Sequence, residues 1–85
     1  METDRDKVFH RVASILSKQL SIDVAKIEEE ALISSDLGAD SLDTAEIAMM
    51  IKDDFNYDLN DQEIAKIKTV RDIIEILTGS GASQR

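Results

Sequence analysis

The sequence predicts an all-α domain, a bundle of three main helices plus one short helix. Apolar residues recur at spacings of three and four in three separate stretches, which places them on one face of a helix. Residues that favour helix starts stand ahead of these stretches. Strand-like alternation, internal repeats and low-complexity blocks are absent, and so is proline.

The first stretch, Val8, Val12, Ile15, Leu16 and Leu20, lines a helix from about Asp4 to Leu20, with Thr3 or Asp4 as its cap. From Ser21 to Gly38 the period decays, yet Ile22, Ile27, Leu32, Ile33 and Leu37 are too apolar for a free linker. An ordered loop with one helical turn, pinned to the core, is expected there. Gly38 supplies backbone freedom for a turn before a second helix, which starts near Asp40 or Ser41 and runs to about Asp54. Asn56 to Asn60 reads as a polar turn, with Asp61 capping a short helix that presents Ile64 and Ile67. Thr69 and Asp72 form a capping box in its Asp variant, opening a last helix with Val70, Ile73, Ile74 and Leu77 on one face. The small polar residues from Gly79 to Arg85 read as a disordered tail, leaving residues 1–78 as the domain.

Composition narrows the function. Eighty-five residues build one hydrophobic core and leave little surface for a deep catalytic cleft. Without cysteine there is no disulfide framework and no thiolate metal site. A net charge of −8 argues against nucleic acid, whose phosphates need clustered Lys and Arg; it fits basic protein partners or, more simply, a small domain kept soluble by its acidity, and the placement of the charges decides between them. Met1 to Lys7 is mostly charged, and no apolar run reaches membrane-spanning length. A soluble, monomeric protein of a reducing compartment, most simply the cytoplasm, is the expectation.

The second helix carries two apolar faces. At about 100° per residue, Thr44, Ile47, Ala48, Ile51 and Phe55 form a core stripe. Leu42, Ala45 and Met49 gather on the opposite side, edged by Glu46 and Asp53 on one flank and Lys52 on the other. Two arrangements satisfy this pattern. Either the second strip tucks under the preceding loop, or it is an exposed docking surface in which apolar contact gives adhesion and charge gives steering. Methionine suits a surface that fits several partners.

The block Asp36-Leu37-Gly38-Ala39-Asp40-Ser41-Leu42-Asp43-Thr44 resembles the phosphopantetheine attachment site of acyl carrier proteins, whose core is Asp-Ser-Leu at the start of the second helix. Glu46 to Phe55 is similar to that family's recognition helix, and Lys68 to Ile74 to the start of its last helix. The resemblance spans about Val8 to Leu77. It implies an acyl-carrier-protein-like bundle in which a phosphopantetheinyl transferase (holo-carrier synthase) moves 4'-phosphopantetheine from coenzyme A onto Ser41. It further implies a carrier with no catalytic residue, which passes acyl thioesters among ketoacyl synthases, reductases, a dehydratase and acyltransferases. Asp40, Leu42, Asp43 and Ala45 would meet these partners together with Glu46, Met49 and Asp53. Ile47, Ile51, Leu59, Ile64, Ile67 and Ile73 would wall a cavity for the acyl chain, or serve as plain core. The chemistry suits a helix start, where unpaired N–H groups and the positive dipole end favour a phosphodiester. The Asp-Ser-Leu-Asp block looks more like fatty acid synthesis; discrete carriers of polyketide, aminoacyl or other specialised acyl groups are the alternative.

Three departures from the family stand out. Lys52 replaces a common acid, Asn60 a common proline, which loosens the turn before the short helix, and Ser34 and Ser35 are unusually polar for their loop. Rival classes are weaker. A hydrolase would need a base for Ser41, and the sole histidine, His10, lies on the first helix with no Gly-x-Ser-x-Gly elbow present. Asp54, Asn56 and Asp58 offer the oxygens of a calcium loop, but Leu59 and Ala65 stand where its glycine and glutamate belong. An unmodified adaptor using the Leu42 strip is the third rival.

Overall fold

The computed structural model describes residues 4–79. The all-α architecture is the one the apolar spacing predicts. Four helices follow in order: α1 (Asp4–Leu20), α2 (Ser41–Phe55), α3 (Asp61–Lys66) and α4 (Val70–Thr78). Thr3, one of the two expected caps of α1, lies outside the described residues. Asp4 and Asp6 occupy the first turn of α1 and Lys18 its last, each charge complementing the helix dipole.

α1 is the central element, packed against both α2 and α4. Val12 and Leu16 from α1, Ile51 from α2 and Val70, Ile73 and Ile74 from α4 are fully buried. The core is apolar throughout, with no buried polar or charged residue among the described residues. No described helix is long and apolar enough to cross a membrane.

The long connection after α1 is ordered, as its apolar residues require. Val24–Lys26 form a 3-10 turn, whose cap Asp23 accepts the Ala25 N–H at 3.1 Å. Ile27 and Ile33 are buried. What holds the loop is the start of α4. Arg71 N–H donates to Glu29 O (2.8 Å), Val70 N–H to Ala31 O (3.2 Å) and Ile33 N–H to Lys68 O (2.9 Å), around one antiparallel bridge between Leu32 and Thr69. Side chains reinforce the seam. Arg5 contacts Glu29 at 2.7 Å, and Arg71 reaches Glu29 at 3.6 Å and Glu30 at 3.0 Å.

The Arg5 hydrogen bond, and after it Arg71, holds the Glu29 carboxyl below the usual carboxylate range. A depressed folded-state value stabilises the fold above the unfolded value, roughly pH 4.3 for Glu, and the effect disappears as pH falls through the folded value. Urea unfolding of wild type and Glu29→Gln is therefore expected to give a small advantage to wild type at pH 7 that closes toward pH 3. A gap unchanged over that range would show that the charge is irrelevant.

Two sequence readings need correction. Asn60, not Asp61, caps α3: its side chain accepts the Glu63 N–H at 2.7 Å, while Glu63 accepts the Asn60 N–H at 3.1 Å. This reciprocal box, together with buried Leu59 and a 2.5 Å bond from the Tyr57 hydroxyl to Glu63, fixes the turn that the missing proline was expected to loosen. Gly79 is not the first residue of a tail. It caps α4 in the left-handed region at φ 74°, donating its N–H to Ile76 O. Ser80 to Arg85, the remainder of the expected tail, lie outside the described residues. The box of Thr69 and Asp72 opens α4 as the sequence predicts.

Candidate functional site

The start of α2 is fixed from both sides. Gly38 takes φ +80°, a left-handed conformation that favours glycine, and its N–H donates to Ser34 O at 3.1 Å. Ala39 is buried and donates to Ile33 O at 3.0 Å. Asp40 then caps the helix: its side chain accepts the Asp43 N–H at 2.9 Å, and Asp43 accepts the Asp40 N–H at 3.2 Å. Thr44 closes the turn, its hydroxyl donating to Asp40 O at 3.0 Å.

Ser41 is the first helical residue and is exposed. Its hydroxyl makes no hydrogen bond to another described residue. Capping falls to Asp40, so Oγ is left open to solvent, while the first N–H groups of the helix have no intrahelical acceptor. A phosphodiester fits here. Ser41 would hold it, with Ser41 N–H and Leu42 N–H beside it. The flanking Asp40 and Asp43 carboxylates repel such a group, but at this solvent-facing helix end the repulsion is screened. The Gln19 amide, followed by the Asp40 backbone N–H, keeps the Asp43 carboxyl below the usual range.

Leu42 and Met49 are 74% and 67% exposed, and Ala45 is exposed between them. The strip therefore lies at the surface rather than under the loop. Asp40, Glu46 and Asp53 are exposed around it and Asp43 is half-buried. Gln19 Nε2 on α1 reaches Asp43 Oδ1 (3.2 Å) and Glu46 Oε1 (2.6 Å). This cross-helix tie has no signature in the sequence. Lys52 lies 3.6 Å from Asp58. At the far end of α2, Arg11 donates to Asp54 O at 2.8 Å and sits 4.6 Å over the Phe55 ring, a cation favourably placed at a helix C-terminus.

A cavity of about 310 Å³ opens between α2, α3 and the loop. Ile47, Ile51, Leu59, Ile64, Ile67 and Ile73 all line it. So do Leu32, Ser34, Ser35 and Lys68, which periodicity did not bring to this place. The loop seam with α4 accounts for them, since it pairs residues far apart in sequence. Among the described residues no three His, Cys, Asp or Glu side chains cluster as a metal site. Asp54 and Asp58 face different cations, Arg11 and Lys52. His10 is exposed on α1, its ring 5.6 Å from that of Phe9.

The described residues thus form a small helical bundle with an open serine at the start of α2, a place where a group could be attached. Residues 10–77 match the family described as phosphopantetheine attachment site. An acyl carrier protein of Thermosynechococcus vestitus is 34% identical over 80 residues, covering 94% of this chain and 99% of that protein. The solved acyl carrier protein of Enterococcus faecalis superposes with a TM-score of 0.75 at 26% identity, covering 93% of this chain and all of that one. The chain belongs to the acyl carrier protein family, and its cofactor is covalently attached 4'-phosphopantetheine.

Proposed function

We propose that this protein carries the growing acyl chain of fatty acid synthesis on an arm attached to Ser41, and that it makes and breaks no bonds of its cargo itself. The observation that carries this reading is the open Ser41 hydroxyl at the first position of α2, with an exposed apolar strip on one side of that helix and a cavity on the other. When bound, the arm supplies the thiol on which acyl groups ride as thioesters, a chemistry that a chain without cysteine obtains only from its cofactor.

Each residue then has a role. Ser41 Oγ gives up its proton to a basic group of the transferase and bonds to the pantetheine-side phosphorus of coenzyme A, whose pyrophosphate bond breaks to release adenosine 3',5'-bisphosphate. Asp40 and Asp43 hold the helix start rigid and, with Glu46 and Asp53, attract basic surfaces. Leu42, Ala45 and Met49 supply apolar contact that breaks readily, so that transferase, ketoacyl synthases, reductases, dehydratase and acyltransferases can take turns. Ile47, Ile51 and Leu59, with Ile64, Ile67 and Ile73, shelter the chain between visits. Residues 1–78 act as the carrier domain, in the cytoplasm.

The test is intact mass after incubation with coenzyme A and a phosphopantetheinyl transferase, with fragments mapping the added group to Ser41. An unchanged mass, or modification elsewhere, would overturn the reading. Met49→Glu addresses the docking strip. Its exposure means helicity should be kept, while transfer to partner enzymes falls about tenfold, the equivalent of 1.4 kcal/mol of lost contact. Loss of the fold would show that the strip is core.

A further inference from the structure

α1 and α2 run antiparallel, so the last turn of α1 stands beside the first two turns of α2, while Arg11 toward the other end reaches Asp54. Gln19 is the α1 residue at that meeting point. It is half-buried, and the turn that carries it is fixed: Leu16, three residues earlier, is fully buried, and Ser17 bonds to Ile22 through both its carbonyl and its hydroxyl. From there Nε2 donates to Asp43 Oδ1 at 3.2 Å and to Glu46 Oε1 at 2.6 Å. These two carboxylates stand three apart on one helix, where side chains are neighbours and like charges repel. No described cation is within ion-pair distance of either, Lys18 beside Gln19 on α1 included. A primary amide has two N–H groups and no charge. It therefore brings the two acids together and leaves both negative, which an ammonium or guanidinium in the same place would not do. The Gln19 bond is also the first cause of the lowered Asp43 carboxyl, so that acid stays ionised beside a second one.

We infer that Gln19 is a positioning residue for arm attachment: it holds Asp43 and Glu46 side by side with their charges uncancelled, as a ready-made pair of acceptors for basic side chains of the transferase. The inference rests on the reading that partners dock on α2 beside Ser41. A carboxylate offers about four acceptor sites. Gln19 and the Asp40 N–H take two of those on Asp43, and Gln19 takes one on Glu46, so acceptor sites remain on both acids for a partner. An exposed glutamate left to itself samples several rotamers, and a partner that binds it must first freeze one. Gln19 restricts Glu46 before the encounter, through a bond within the carrier. The cation of α2, Lys52, is on the other flank of the apolar strip and 3.6 Å from Asp58, so it does not cancel the charge at this edge.

The experiment measures arm attachment from coenzyme A to the full chain by a phosphopantetheinyl transferase, as kcat and as KM for the carrier, at low and at moderate salt. Wild type is compared with Gln19→Met, which keeps the side-chain length and removes both donors, and with Gln19→Lys, which keeps donors and adds a charge. Glu46→Ala is measured alone and combined with Gln19→Met. Circular dichroism and urea midpoints report the fold. Gln19→Met is expected to raise KM about fivefold, the ordering of a single side chain, with kcat, helicity and salt dependence retained. Carbon NMR of its Asp43 carboxyl should show titration at a higher pH than in wild type. Gln19→Lys is expected to raise KM as well and to flatten its dependence on salt, because one charge has been cancelled. With Glu46 already replaced, Gln19→Met should have a much smaller effect. An unchanged KM in Gln19→Met would overturn the inference, as would a fall in kcat at constant KM. A rise of equal size with and without Glu46 would overturn it too, by showing that Gln19 serves the fold alone. Wild type that gains no mass at Ser41 would overturn the Ser41 reading and this inference with it. Attachment at Ser41 that is indifferent to Glu46→Ala would take this edge out of docking and overturn the inference while the carrier reading stands.

Discussion

Ser41→Ala is expected to abolish attachment of the phosphopantetheine arm completely while leaving the fold unchanged. The two halves of this outcome have separate causes. Attachment needs an oxygen nucleophile at the first position of α2, and alanine offers none. Stability is untouched because the cap is Asp40, whose side chain accepts the Asp43 N–H, while the Ser41 hydroxyl bonds to no other described residue. Removing a true cap costs typically about 1 kcal/mol, so Asp40→Ala should show that loss and Ser41→Ala should not. Mass spectrometry after treatment with transferase and coenzyme A reads the first half, and thermal unfolding the second. A modified Ser41→Ala protein would rule the site out.

Leu16→Ala is expected to have the largest effect on stability. Leu16 is fully buried on α1, the helix that packs against both α2 and α4. Truncating such a leucine removes its transfer energy and leaves a void, together about 2–5 kcal/mol. A domain of this length has a total stability of roughly 4–13 kcal/mol, so the variant should sit near its unfolding midpoint in mild urea. A midpoint unchanged from wild type would mean that the helices repack without penalty. In contrast, Leu42→Ala should change stability by less than about 0.5 kcal/mol, because Leu42 is 74% exposed.

How far the sequence reveals this molecule depends on the range of the interaction. The span of α1 and the Thr69 and Asp72 box of α4 follow from spacing and capping signals, which are local. The cap of α3 was legible too, since Asn60 and Glu63 stand three apart as a capping box requires; the acid at position 61 competes with Asn60 as a cap, and only the reciprocal partner decides. Periodicity put Leu42 and Met49 on the face of α2 opposite its core stripe but left their exposure open, because burial depends on where the loop goes. The loop goes to α4, through the bridge of Leu32 with Thr69, and no short-range pattern encodes that pairing. The same holds for Gln19 reaching Asp43 and Glu46, and for the place of Ser34, Ser35 and Lys68 in the cavity lining.

The interior contains no buried polar side chain among the described residues, so inside it the helices are aligned by side-chain packing alone. Directional bonds lie at the periphery: the three reciprocal boxes that begin α2, α3 and α4, and the seam that ties the loop to α4. Such a protein can let its greasy centre give way by small amounts while the places where its helices begin stay put, and the serine at the head of α2 keeps its address whatever the interior holds.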